Sequence, residues 1–339
     1  MSLVGASADR QQRYRLLARA AFFVLFVIAP PLDLFRLDLT LGHFIFFGQS
    51  WTLGLDAFID GDIGPGGAAV NLLLRGLLPI AAVVGFGVWL SWRYGRLYCG
   101  WLCPHFSVVE IINGLMRRAW GRPTLWERKS LPEQLPDGRR IAPRTLWWPV
   151  VVIAVIGFAL LWAVALLTYL LPPIEVWGNL LRGELTRNQA IFIGAGSAVF
   201  TTEFLLARHL FCRFGCAVGL FQSLAWMANR RAMVVGFEQR RAEECRDCGN
   251  ACDNACPMRL KPRGMKRSMF TCTQCARCLQ VCDQVQSANP EGSLLHWIDG
   301  AKAAAISDSV LKARDRTEHR GAETQRPQRN ATKRPVSGP

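Results

Sequence analysis

Twelve cysteines carry most of the chemistry open to this sequence, and eight of them fall between residues 245 and 282 in two runs. Cys245, Cys248, Cys252 and Cys256 lead directly into Pro257; Cys272, Cys275, Cys278 and Cys282 follow after a short basic connector. Thiolates at this density are ligands for soft metals. The spacing is close to C-x2-C-x2-C-x3-C-P, a run that holds paired [4Fe–4S] clusters by giving three cysteines to one cluster and the fourth to the other. On that pattern Cys245, Cys248, Cys252 and Cys282 hold one cluster, and Cys272, Cys275, Cys278 and Cys256 hold the second. Neither run completes its cluster alone.

The first run has one residue more than the pattern between Cys248 and Cys252, and Asp283 stands where the second run should have proline. Gly249 and Asn250 are expected to absorb the extra residue, since both tolerate positive φ. Two zinc sites of four thiolates each are an alternative, although zinc usually takes separated C-x2-C knuckles. Disulfides are another, and they belong to oxidising compartments.

The remaining cysteines form two pairs, Cys99–Cys103 and Cys212–Cys216, each just after an apolar segment. Residues four apart on a helix share a face, and the matched positions predict four sulfurs facing one another. Such a set suits copper(I), zinc or a further iron–sulfur centre, or a redox dithiol; buried cysteines that only pack are the structural alternative. His105 and His209 are candidate ligands or plain interfacial residues. Glu203 is either a proton-handling group or a side chain snorkelling to the interface.

These residues need elements to hold them. Hydrophobic residues make up 51% of the chain while its net charge is +15, a combination natural to apolar spans with basic loops. Apolar segments at about 16–35, 72–92, 146–171 and 189–207 approach the roughly 20 residues needed to cross a bilayer. The first could be a signal peptide, but Ala29-Pro30-Pro31-Leu32-Asp33 offers no small-residue cleavage site. Thirty-six basic residues fall on one side of these spans, and only Arg36, Arg75, Arg182 and Arg187 on the other. The bias places both termini and all twelve cysteines in the cytoplasm.

The expected architecture is an all-α integral membrane protein with a small cytoplasmic ferredoxin-like α+β module binding two [4Fe–4S] clusters. Its parts are a polar N-terminal tail (1–15), a membrane domain (16–235), the two-cluster module (236–300) and a disordered basic tail (301–339). Between Arg36 and Asn71 the chain reads as a loop. Seven basic residues between Cys245 and Cys282 (Arg246, Arg259, Lys261, Arg263, Lys266, Arg267, Arg277) should stabilise reduced clusters and attract an acidic electron donor, or else form a solvated loop facing lipid headgroups.

Leu97-Tyr-Cys-Gly-Trp-Leu-Cys-Pro104, Arg208-His-Leu-Phe-Cys-Arg-Phe-Gly-Cys216 with Phe221-Gln-Ser223, and then the double cysteine run resemble the CcoG/FixG/RdxA group of cytochrome oxidase accessory proteins. Phe44-Ile-Phe-Phe-Gly48 is similar to that group's short aromatic-glycine segment, and the whole is more distantly similar to membrane iron–sulfur proteins of the NapH and NosR type. The resemblance implies cytoplasmic [4Fe–4S] clusters and a redox role for Cys99, Cys103, Cys212 and Cys216. In the CcoG group that role is reducing copper for oxidase assembly; in the NapH group it is passing electrons from quinol. Ala217 replaces the proline expected after Cys216, and the group's periplasmic C-terminal domain is expected to be absent.

Three functions follow: delivery of electrons for copper reduction or cytochrome oxidase maturation, a quinol-linked conduit, or a non-catalytic membrane iron–sulfur sensor or scaffold. The first two make the chain an oxidoreductase. Its partners would be the lipid bilayer, a cytoplasmic or quinol donor, and a metal ion or redox protein as acceptor; nucleic acid is not expected.

Overall fold

The computed structural model describes residues 3–135, 138–206, 209–245, 248–264, 266–299 and 302. The basic tail expected from residue 301, Lys302 aside, lies outside the described residues.

Helix α1 spans Leu3–Ile28, so the stretch expected as a loose tail is helical from Leu3 onward. Tertiary partners order it: Gln280 Nε2 donates to Asp9 at 2.7 Å, and Gln12 Nε2 donates to the Cys275 carbonyl at 2.9 Å. A polar helix held this way has no local signature, because helical stability comes largely from packing. Pro30 and Pro31 follow its end.

The segment expected as a loop contains a three-stranded antiparallel sheet, β1 (Phe35–Asp38), β2 (His43–Phe46) and β3 (Gln49–Trp51), in that order. Strands this short hide their alternation, so the turns specify the sheet. Asp38 accepts from the Thr40 and Leu41 amides at 2.9 and 3.2 Å, fixing the first turn through a side chain. In the second, Phe47 and Gly48 take φ of 49° and 72° between the paired residues Phe46 and Gln49, the geometry a two-residue hairpin demands.

A short helix α2 (Asp56–Ile59) precedes α3 (Pro65–Asn71), which runs through a π-helical turn, Leu72–Leu77, into α4 (Leu78–Tyr94). Helices α5 (Leu97–Trp101) and α6 (Pro104–Trp120) carry the first cysteine pair and the segment after it. Then come α7 (Trp148–Thr168), α8 (Pro173–Arg182) and α9 (Arg187–Leu206). A π-helical turn, Phe211–Gly215, carries the second pair into α10 (Ala217–Ala228).

Among the described residues three helices are long and apolar enough to cross a membrane: Pro65–Tyr94, Thr145–Thr168 and Arg187–Leu206. α1 is not one of them; Asp9, Arg10, Arg13, Arg15 and Arg19 charge its first half. α7 packs against α9 around Ala163, Val164, Leu167 and Ile193. α6 lies beside α7 through Val108, Ile112, Met116, Val151, Val155 and Ala159. The most apolar stretch of Pro65–Tyr94 is entirely unburied by protein, as a lipid-facing helix would be.

The chain's two ends of chemistry are separated along these helices. The Leu37 amide of the sheet donates to the Tyr169 carbonyl beyond α7 at 2.9 Å, and Tyr169 donates to the Phe26 carbonyl of α1 at 2.9 Å. At the opposite end the cysteine-rich module docks. Its strands β4 (Val234–Phe237) and β5 (Leu295–Ile298) pair antiparallel and bracket two short helices, α11 (Ala251–Ala255) and α12 (Arg277–Val285).

Candidate functional site

Two cavities in the module are each lined by four cysteines. Cys256, Cys272, Cys275 and Cys278 line one; Cys245, Cys248, Cys252 and Cys282 line the other. Each set draws on both runs, the grouping that the crossed spacing predicts. The loops that wrap the cavities turn through left-handed backbone: Gly249 and Asn250 (φ 59° and 56°) absorb the extra residue of the first run, and Gln274 and Ala276 (φ 48° and 60°) shape the second. Asn250 then opens α11 and Ala276 opens α12.

All twelve cysteines are free thiols, so none is taken up in a disulfide. Among the described residues no three His, Cys, Asp or Glu side chains converge to grip a single ion. Zinc would draw its four thiolates to about 2.3 Å. A [4Fe–4S] cluster takes its four cysteines around a cage of irons and sulfides, and sulfurs spread around a cavity fit that group. Burial pushes thiols lining the cavities up, Cys252 and Cys272 to about 12 and Cys278 well above its ordinary value. A metal held there would have to displace protons as it bound.

The paired cysteines lie near enough to one another to interact electrostatically. Cys99 and Cys212 are buried, and burial raises Cys99, Cys212 and Cys103, the last to about 12. After burial, the neighbouring thiols of the pairs raise one another: Cys216 acts on Cys99, Cys99 and Cys216 on Cys103, and Cys103 and Cys99 on Cys212. The pairs are also built alike. Cys103 is the N-cap of α6 and Cys216 the N-cap of α10, where its sulfur accepts from the Gly219 amide at 3.4 Å. Helix N-termini favour the thiolate, but at Cys103 burial outweighs that effect. Cys99 donates to Gln222 Oε1 at 3.3 Å, which ties the first pair to α10.

Beside this site His105 Nε2 lies 3.0 Å from Glu203, enclosed by Trp162, Phe200, Phe204 and Phe211. Glu203 thus turns inward to a histidine instead of snorkelling outward, and its charge contributes to raising Cys212. His209, at φ 50°, stacks its ring on Phe106 at 4.2 Å.

The four-thiol site and the module are in direct contact. Gly100 packs on the Thr273–Cys275 backbone, Trp101 Nε1 donates to the Gln274 carbonyl at 3.1 Å, and Arg15 Nε donates to the Gly100 carbonyl at 2.8 Å. Cys103 and Cys212 share one apolar cluster with Cys256 and Cys272, around Phe106, Trp226, Met258 and Met269. Glu110 on α6 fastens the assembly. It pairs with Arg15 and Arg277 at 2.8 Å each, and with Arg19. Against the cost of burial these guanidinium groups hold its carboxyl far below the usual range.

The basic residues of the module are largely spent within the protein. Arg277 goes to Glu110, Arg259 to Glu127, Arg263 to Asp253 at 2.7 Å, and Lys266 to the Trp226 and Asn229 carbonyls at the end of α10. Arg246 lies outside the described residues. Sequence reasoning missed this fastening, along with Arg96, Gly100, Glu110 and Gln222. The one signal available was Gly100 between Cys99 and Trp101, a glycine where a backbone could approach closely.

Residues 76–123 and 188–232 both match the family described as 4Fe-4S binding domain. Those two stretches, about a quarter of the chain, are what it shares with 4Fe–4S binding domains. The matched stretches hold the two cysteine pairs and lie outside the run from 245 to 282. The chain is 27% identical to YccM of Escherichia coli (strain K12) over 212 residues, 61% of this chain and 52% of that protein, so it spans about half of YccM's length. It is 23% identical to the ferredoxin-type protein NapH of the same strain over 244 residues, 68% of this chain and 74% of NapH. The methylamine utilization ferredoxin-type protein MauN of Methylorubrum extorquens is 28% identical over 198 residues, 56% of this chain and 58% of MauN. No solved structure matches the chain. These relatives extend the resemblance toward NapH.

Proposed function

We propose that the protein is a membrane electron conduit in which the two-run module and the paired-cysteine site form one path at the cytoplasmic face. The observation that carries this reading is the contact between the two cysteine sets, with Gly100 seated on the Thr273–Cys275 backbone and Cys103, Cys212, Cys256 and Cys272 in one apolar cluster. When bound, [4Fe–4S] clusters supply one-electron transfer. Cys245, Cys248, Cys252 and Cys282 hold one, and Cys256, Cys272, Cys275 and Cys278 the other. The chain's own residues space the carriers, exclude water from between them, and keep His105 and Glu203 beside the paired thiols as a place for protons.

Quinol within the bilayer is the donor this arrangement favours. The paired cysteines lie just beyond the ends of α4 and α9, within reach of a membrane-dissolved carrier, and the similarity to NapH points the same way. Copper reduction is the second reading, resting on the resemblance to the CcoG group.

The test is a comparison of single substitutions in anaerobically purified protein. Cys256→Ser should lower iron content and remove one EPR-active centre. Cys99→Ser should leave the module's iron in place yet stop quinol-dependent reduction of it. Wild-type quinol oxidation in Cys99→Ser, Cys103→Ser and Cys212→Ser would reduce the pairs to packing and end this reading.

A further inference from the structure

Arg96 is 1% exposed, in the turn between α4 and α5. Its Nη2 donates to the Cys212 carbonyl at 2.6 Å and stands 3.8 Å from Cys99 Sγ. It also lies against Gly219, where an added Cβ would fall 2.2 Å from Nη2, and the Gly219 amide is the donor to Cys216. On the module side the preceding residue, Gly95, lies against the Gln274 side chain in the loop between Cys272 and Cys275, and Cys212 shares its apolar cluster with Cys256 and Cys272. One guanidinium therefore touches both paired-cysteine segments and lies beside the second run.

No carboxylate pairs with Arg96 among the described residues, and its Nε and Nη1 are buried without an acceptor. Around the other cavity the situation is opposite: Arg263 is neutralised by Asp253 at 2.7 Å and is partly exposed. A buried guanidinium without a counter-charge is costly. The groups placed to supply negative charge are the sulfurs on either side, once they carry thiolate-bound iron. A fixed positive charge in a dry site favours the more negative, reduced state of whatever it faces.

Resting on the electron-path reading above, we propose that Arg96 is a positioning residue for electron transfer. Its unpaired charge makes the group held by Cys256, Cys272, Cys275 and Cys278 easier to reduce than the group held by Cys245, Cys248, Cys252 and Cys282. An electron shared between the two groups would then rest on the one nearer the paired cysteines; no bond or proton changes place.

Redox titration with dithionite, followed by EPR on full-length protein in detergent, tests this with Arg96→Gln and Arg96→Lys. Arg96→Gln should shift the partition of one electron between the two centres by about tenfold or more, a change of about 59 mV in the gap between their midpoints. Arg96→Lys keeps the charge and should keep most of the gap. A merely structural role would not distinguish the two variants. An unchanged gap in iron-loaded Arg96→Gln overturns the proposal. If Arg96→Gln loses iron, Arg96→Lys decides: a wild-type gap supports the role of charge and a collapsed gap refutes it. Wild-type protein without two reducible centres would instead sink the underlying reading, and this inference with it.

Discussion

A methyl group on Gly100 would lie 2.1 Å from the Thr273 carbonyl oxygen. The atom it meets is backbone in the loop between Cys272 and Cys275, so relief requires the module to move away from the paired-cysteine segment. Gly100→Ala should therefore leave all twelve cysteines in place and iron content near wild type, while transfer between the two sites falls about tenfold or more. Stopped-flow reduction of the module through the membrane site measures it. Wild-type rates in the alanine variant would show that the two sites need not touch.

Glu110 is the anion shared by Arg15, Arg19 and Arg277, with its side chain 9% exposed. Glu110→Gln leaves three guanidinium groups around a neutral amide, and removing one partner of a buried ion pair costs about 3–5 kcal/mol. The expected result is release of α1 from the module, seen as protease cleavage within residues 3–15 that wild type resists. Because these arginines depress the Glu110 carboxyl, its contribution is present above the ordinary carboxylate pKa and lost only as pH falls below that range. Mild acid near pH 5 should accordingly not mimic the substitution.

Burial pushes the Lys266 ammonium down to about 8 from an ordinary 10.5, against two carbonyl acceptors and the Trp226 ring at 4.7 Å. Between these values the unfolded chain holds the proton more firmly than the folded one, so folding gains as pH rises; below about 8 the cost of burying the charge is complete. Wild type should gain thermal stability relative to Lys266→Met between pH 8 and pH 10 in melting curves. A constant or narrowing difference across that window would contradict the assignment.

Asn179 follows α7 at the end where the sheet sits, and Gly138 precedes α7 at the end where the module docks. A phosphatase reporter fused after Asn179 should be active outside the cytoplasm and one after Gly138 inactive, following the positive-inside bias. The reverse pattern would put the cysteines outside.

What the sequence disclosed was local in kind. The cysteines between 245 and 282 line two cavities in the two sets of four that their spacing suggests, because their order is written directly in the chain, and the left-handed turns at Gly249 and Asn250 fell where an extra residue had to go. That the segments of Cys99 and Cys212 lie close was legible from their equal placement after two apolar segments. The rest was not, since it depends on partners distant in sequence. Arg15 and Arg19 read as a membrane-flanking charge cluster until Glu110 is found opposite, and a buried Arg96 cannot be told from a loop arginine without the sulfurs around it. The sheet escaped because its strands have only 3–4 residues.

The fastening of α1 has a consequence for how the chain is made. Arg15 and Arg19 emerge from the ribosome first, Glu110 much later, and Arg277 near the end. Domains ordinarily settle in the order of synthesis, but here helix α1 takes its last ionic partner from the first turn of α12. A nascent chain halted before Cys272 leaves α1 unfastened as well as the module open. A quality-control protease that reads the exposed α1 would in effect be reading whether the module has closed.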